Sequence, residues 1–284
     1  MSNYSAKDCL DAFCARMNEK AKELGMKNSE FVDPTGIGNL STAYDIMQLL
    51  QIAYKNPVIW QVITTDGYTA NIEGADPRQY SFESKTKLGA NYQCLRDHYE
   101  LLGGKGGSLY TPHVYNLATI IKAEGADGNL ACVVMKSVDA GDGPLNRFEA
   151  TKQAVDAALQ TINGQTPGDV CAQSAMVCTA ADHCGNSTLL YEKNSTDVIK
   201  PASMTKLLTA LIVLENISDL STRLPVTQEM IDLLPVRFYT KDFKDGDIVS
   251  LNDLMYALML PSSNSAAFVL GCNVGAMLLE QQTE

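Results

Sequence analysis

Ser203-Met204-Thr205-Lys206 places a serine and a lysine three residues apart, so on a helix the two side chains share one face. That spacing suits an activated serine. A lysine held neutral by burial or by neighbouring cations can take the hydroxyl proton as the oxygen attacks. The surroundings favour this pair. Ser203 follows Pro201-Ala202 and opens the apolar run Leu207 to Leu214. A serine at such a helix start gains from the dipole and from free N–H groups that can hold an oxyanion. A second copy of the pattern, Ser84-Lys85-Thr86-Lys87, lies among polar strands and turns and reads as solvated surface.

Two further fragments fit the same chemistry. Ser262-Ser263-Asn264 follows the apolar segment Leu254 to Leu260 and Pro261. It offers a hydroxyl for proton relay and an amide for a carbonyl; alone it reads as a helix N-cap, for which Ser and Asn are favoured. Lys105-Gly106-Gly107, after Gly103-Gly104, offers a cation on backbone that a ligand can approach closely; alone it reads as a Gly-rich turn. Other routes lack their residues. With only His98, His113 and His183 and no G-x-S-x-G, a Ser–His–Asp triad has no support, and the phosphate-loop, dinucleotide and H-E-x-x-H patterns are absent. None of the eight cysteines forms a CxxC pair. Cys178, His183 and Cys184 fall short of a four-ligand zinc site, and Cys178 with Cys184 could close a short hairpin disulfide.

The elements that must hold these residues follow from periodicity. Leu10, Phe13, Met17, Ala21 and Leu24 predict a helix over 8–24, stopped by Gly25. Asp33-Pro34-Thr35-Gly36 is a turn, and a second helix runs from about Ser41 to before Pro57. Short strands and turns fill Thr64 to Gly104. Strands are expected at Tyr115 to Lys122 and Leu130 to Met135, and a helix over 146–162. A loop at 163–168 precedes a hairpin of Ser174 to Cys178 with Thr188 to Glu192. Helices are expected at 203–216, 227–234, 250–260 and 264–280. Helical material at both ends and strands in the middle predict two lobes, one all-α and one α/β.

At 284 residues, and about 150 residues per domain, that division is reasonable. The net charge of −11 and the lack of a basic cluster argue against nucleic acid. No apolar run is long enough for a transmembrane helix. The polar start, Met1 to Lys7, has no signal-peptide pattern.

Taken together, the three fragments resemble the signature set S-x-x-K, S-x-N and K-T-G of the D-alanyl-D-alanine carboxypeptidases, the low-molecular-mass penicillin-binding proteins. Tyr191-Glu192-Lys193-Asn194 before Pro201-Ala202-Ser203 is similar to that family's N-terminal segment. Residues Met17 to Met26, Asp33-Pro34-Thr35-Gly36 and Ser41 to Asp45 are similar to its central segment. The order differs, because the K-T-G-like element precedes the other two. Moving 169–284 ahead of 1–162 restores the family order, so the chain reads as a circular permutant with its joint at about 163–168.

The resemblance implies an α+β, β-lactamase/transpeptidase-like fold: an antiparallel sheet flanked by helices, plus an all-α lobe. Residues 1–63 and 201–284 would form the helical lobe and 64–200 the sheet lobe. It implies Ser203 as nucleophile, Lys206 as base, Ser262 as proton shuttle and Asn264 as holder of a substrate amide. Lys105 would attract the terminal carboxylate, and the N–H groups of Ser203 and Ser108 would form the oxyanion hole. Peptidoglycan stem peptides would be the substrate, β-lactams would acylate the serine, no metal or cofactor would be needed, and the parent protein would work in the cell envelope. Gly106 departs from K-T-G. The missing hydroxyl costs roughly 1.5–3 kcal/mol of anion binding, unless a water or Ser108 replaces it. Gly107 keeps the glycine. A β-lactamase of the same fold, or a non-catalytic cell-wall peptide-binding protein, are the alternatives. No family anchor helix or extra β-rich domain is visible.

Overall fold

Alternating side chains explain the central sheet. The computed structural model describes residues 4–87, 93–111, 113–137, 146–182, 185–238, 240 and 242–283. Five strands run antiparallel in chain order: β3 (Glu100–Tyr110), β4 (His113–Lys122), β5 (Asn129–Ser137), β6 (Ala172–Thr179) and β7 (Leu189–Lys193). On one face Leu117, Ile121, Cys132, Val134 and Val177 meet Phe148, Ala154 and Ala158 of helix α5 (Asn146–Ile162). On the other, Ala118, Ile120, Val133, Met135 and Met176 meet the helical lobe. Both faces are covered, which is why β4 and β5 read as nearly continuous apolar runs. Strand β3 is an edge of this sheet.

The helical lobe forms around α6 (Lys206–Asn216), buried on every side from Lys206 to Val213. It is preceded by a 3-10 turn, Ala202–Thr205, rather than being α-helical from Ser203. Around it pack α1 (Ala6–Glu23), α2 (Ala43–Lys55), α8 (Leu251–Met259) and α9 (Asn264–Gln281). The second helix does stop before Pro57, but Pro57 opens a further helix, α3 (Pro57–Thr64), whose first N–H groups bond to the Asn56 side chain.

The pair α1–α9 is unusually close. A Cβ on Gly275 would lie 1.8 Å from the Cys9 carbonyl oxygen, and one on Gly271 would lie 3.4 Å from Phe13. Moving up α9 from Gly271 to Gly275 therefore moves down α1 from Phe13 to Cys9, and the two helices are antiparallel.

Periodicity did not reveal a second sheet, of order β2 (Arg78–Glu83), β1 (Gly67–Gly74), β9 (Asp247–Ser250) and β8 (Arg223–Pro225). It pairs residues assigned to the sheet lobe with residues assigned to the helical lobe. The buried Asp247 carboxylate clamps it, taking Arg78 Nη1 at 2.8 Å and Nη2 at 2.7 Å. The surface reading of Ser84 is corrected as well. Ser84 and Thr86 are buried and only Lys85 is exposed, because β2 ends against Asp66 and the Lys85 N–H donates to Leu260 O at 3.2 Å. Cys178 is a free buried thiol rather than half of a disulfide, its pKa pushed up to about 11 by burial. His183 and Cys184 lie outside the described residues.

Gly275→Ala must push α1 off α9, because the obstacle is backbone. It is expected to destabilise the fold by roughly 1–3 kcal/mol, read as a lower urea midpoint with an unchanged slope. Gly25→Ala, in a helix stop with open space around it, serves as the control; there the cost is confined to local strain at φ +74°.

Candidate active site

Ser203 is held from behind by a turn that looked ordinary in the sequence. Gly36, at φ +98°, presses on the 3-10 turn so closely that a Cβ there would lie 1.8 Å from Ala202 O. Only glycine serves at that position. The Asp33 carboxylate fixes this loop. Its Oδ1 accepts from the N–H groups of Thr35 and Gly36, both at 2.7 Å, and its Oδ2 from the N–H of Gly38 at 2.7 Å. Asn39 reaches from the loop to Thr205 Oγ1 at 3.2 Å, and Thr209 Oγ1 donates to Pro34 O at 2.8 Å. The turn and the Ser203–α6 segment are thus one unit, although about 170 residues separate them in sequence.

Lys206 lies one turn beyond Ser203 and is fully buried. Its Nζ stands 3.1 Å from Ser203 Oγ, 3.2 Å from Ser262 O, 3.3 Å from Ser262 Oγ and 2.6 Å from Asn264 Oδ1. No carboxylate touches it among the described residues. Burial accordingly lowers its pKa from 10.5 to about 7. Asp33 opposes that shift, exposed Lys85 adds to it, and Asp242 opposes it. Near neutrality a large share of this amine is free base, able to accept the Ser203 proton.

Ser262, Ser263 and Asn264 divide the work between them. Ser263 is the N-cap of α9, its Oγ accepting from the Ala266 N–H at 2.9 Å. That capping role leaves its neighbours free. Ser262 sits at φ +65°, a costly conformation for a serine, and turns both its carbonyl and its hydroxyl toward Lys206. Asn264 Nδ2 donates to Phe238 O at 3.0 Å, which orients the amide and leaves its second N–H unused by that bond.

Lys105-Gly106-Gly107 forms part of strand β3 and not a turn. Alternation sends Lys105 and Gly107 toward Ser203, and Gly106 and Ser108 toward α5. Lys105 Nζ donates to Ser262 Oγ at 2.8 Å and to Gly106 O at 3.0 Å. It too is buried, so its pKa falls well below the ordinary lysine value; burial is the main cause, and Lys206, Arg147 and Lys85 add to it. A Cβ on Gly107 would lie 2.6 Å from Pro201 O and 3.0 Å from Ser203 N, so the strand edge runs directly along the Ser203 backbone. Ser203, Lys206, Ser262, Asn264 and Lys105 are joined by these hydrogen bonds and Gly107 lies against them, whereas Gly106 and Ser108 face α5 on the other side of the strand.

Three participants were not anticipated. Asp33 was read as a turn residue and Lys85 as solvated surface. Arg147, in the first turn of α5, donates from Nη1 to Ser108 Oγ at 2.9 Å and lies over Gly106. An arginine at the start of an amphipathic helix carries no pattern that separates it from a surface residue.

The sequence profile of the D-alanyl-D-alanine carboxypeptidases matches residues 6–137 and 160–276. The chain is 50% identical over 56 residues to a D-alanyl-D-alanine endopeptidase of Escherichia coli (strain K12), a match covering 19% of this chain and 18% of that protein. It is 51% identical over 39 residues to the D-alanyl-D-alanine carboxypeptidase DacF of Bacillus subtilis (strain 168), covering 13% of this chain and 10% of that protein. The chain thus spans less than a fifth of the length of the curated relatives it matches. No solved structure matches it significantly.

The Lys206 side chain is expected to titrate with a midpoint near 7, measured by the carbon-13 shift of Cε, against 10.5 for an ordinary lysine. In Lys85→Gln the midpoint is expected to rise, because a like charge that disfavours the ammonium is removed.

Proposed function

Because the chain belongs to the D-alanyl-D-alanine carboxypeptidase family, we propose that it removes the terminal D-alanine from peptidoglycan stem peptides through an acyl-enzyme on Ser203. The observation that carries this reading is the buried Lys206 amine, in hydrogen-bond reach of Ser203, Ser262 and Asn264 together. As neutral Lys206 takes the Ser203 proton, Oγ attacks the carbonyl of the penultimate D-alanine. The oxyanion rests on the N–H groups of Ser203 and Ser108. Lys206 passes the proton through Ser262 Oγ to the departing amine, the C–N bond breaks, and D-alanine leaves. Water then hydrolyses the ester and restores the serine. Lys105 holds the Ser262 hydroxyl in line and adds positive charge, and the free Asn264 N–H holds a substrate carbonyl. A β-lactam carbonyl meets the same nucleophile, and its opened ring stays attached as the acyl group. A peptidoglycan substrate locates the working protein in the cell envelope. No described helix is long and apolar enough to cross a membrane.

The order of the motifs is read as a circular permutation. Two observations support it. The family match falls into two stretches on either side of 138–159. The antiparallel α1–α9 pair also brings the start of α1 near the end of α9, so a short connection there would give an ordinary helix hairpin. A chain in which 169–284 precedes 1–162, joined by a short flexible linker, is expected to fold and to acylate as the present order does. Loss of folding in that arrangement would count against the permutation.

Incubation with a penicillin is expected to raise the intact mass by one penicillin, and Ser203→Ala to abolish the increase. Acylation is expected to rise about tenfold per pH unit below a midpoint near 7 and to level off above it, because only the free base of Lys206 accepts the proton. Consumption of penicillin without an adduct would favour a β-lactamase, and neither adduct nor consumption a non-catalytic binding protein.

A further inference from the structure

Two buried thiols far from Ser203 share one small cluster. Cys9 of α1 and Cys272 of α9 pack together with Ala6, apart from the main core, and Leu10, Met230 and Leu279 lie against them. The backbones bring them there. A Cβ on Gly275 would lie 1.8 Å from Cys9 O and 3.0 Å from Cys9 Cα, so α9 touches α1 main chain to main chain. Cys272 lies about one turn before Gly275, and its Sγ donates to Ala6 O at 3.5 Å. Ala6 in turn lies about one turn before Cys9. Helical side chains lean toward the N-terminus, so the Cys9 side chain leans over the turn that the Cys272 thiol touches. A disulfide needs Cα atoms about 4.4–6.8 Å apart, and main-chain contact at a glycine allows that approach.

The other described thiols are placed differently. Cys132 faces α5 and Cys178 faces the helical lobe, so these neighbours in β5 and β6 lie on opposite sides of the sheet. Cys94 packs on the α5 side, and Cys171 is exposed with its N–H donated to Gln153 of α5. Cys14 is five residues beyond Cys9, which turns it about 140° around α1.

We propose that Cys9 and Cys272 form a disulfide under oxidising conditions, a staple that holds α1 on α9. The oxidant is a small disulfide such as oxidised glutathione. One cysteine thiolate attacks it, forms a mixed disulfide and releases one small thiol. The second cysteine thiolate then displaces the other. Two cysteine thiols and one small disulfide thus give the protein disulfide and two small thiols, which keep the two protons. Burial pushes the Cys272 thiol up to about 12, so the exchange takes place while α1 is off α9, during folding or local opening. The link closes a loop over nearly the whole sequence, and long loops restrict the unfolded chain most. It acts on stability and is independent of what Ser203 does.

The test refolds the full chain from urea with reduced and oxidised glutathione and digests it without reductant. An endoprotease that cuts before aspartate separates Cys9 from Cys14 at Asp11. The peptides bearing Cys9 and Cys272 are expected to be joined, with the intact chain lighter by two hydrogens and two of its eight thiols lost to titration. The urea midpoint should rise, and dithiothreitol should return it to the value of the reduced chain. Cys14→Ala should keep both the link and the rise, whereas Cys9→Ala and Cys272→Ala should lose both. No link, a link from Cys272 to Cys14 instead, or a link with no rise in midpoint would overturn the staple. Should a cysteine variant fail to fold, the peptide map and midpoint of the parent chain decide the question alone.

Discussion

The site depends on one constraint: an amine buried at the head of α6 with no anion touching it among the described residues. Keeping an ammonium there would cost several kcal/mol. The protein resolves the conflict by favouring the neutral base and surrounding it with oxygen acceptors from two loops. Much of the local architecture serves those acceptors. Ser262 holds a left-handed backbone to offer two oxygens at once. Ser263 takes over the capping of α9, so its neighbours need not. Gly36 and Asp33 brace the 3-10 turn that aims Ser203 at the amine.

Charge in this protein is organised by distance. The chain carries −11 overall, yet Lys105 and Lys206 both reach the Ser262 hydroxyl, and Arg147 acts on Lys105 from the α5 side of the strand. Over a solvent-exposed surface the net charge is screened within about 8 Å at physiological salt. Between groups held out of water the same interactions are far stronger, and the neighbouring Lys206 and Arg147 help push the Lys105 pKa down. A global count of charges therefore predicts solubility and says little about what the site attracts.

The sequence made the main sheet and the nucleophile region legible because their signals are local. Phe148, Val155, Leu159 and Ile162 gave α5 its full extent, and the apolar runs gave β4 and β5. The small sheet escaped because β8 has three residues and β9 four, too few for any period to register. Lys105-Gly106-Gly107 looked like a turn because glycine is common in turns; pairing with Ala118, Leu117 and Asn116 makes it a strand. Asp33 and Arg147 escaped for another reason. Asp33 bonds only to its own turn, and its effect on Lys206 is long-range; the Ser108 partner of Arg147 lies far away in sequence, so nothing in the neighbours of either marks its part in the site. The triplet Ser262-Ser263-Asn264 supported both of its readings at once, one residue serving as the cap and two facing the amine.

Strands β5 and β6 meet across the loop 163–168, and the cleft is divided at the same place. Ser203, Lys206, Ser262 and Asn264 come from one side of that loop, and Lys105, Ser108 and Arg147 from the other. A ribosome making this chain releases strand β3 well before the segment that carries Ser203, Lys206, Ser262 and Asn264. Until the late segment has docked, Lys206 stands in water as an ordinary ammonium and Ser203 is an ordinary alcohol. The Ser203–Lys206 pair thus takes its buried, hydrogen-bonded form only when the fold is complete.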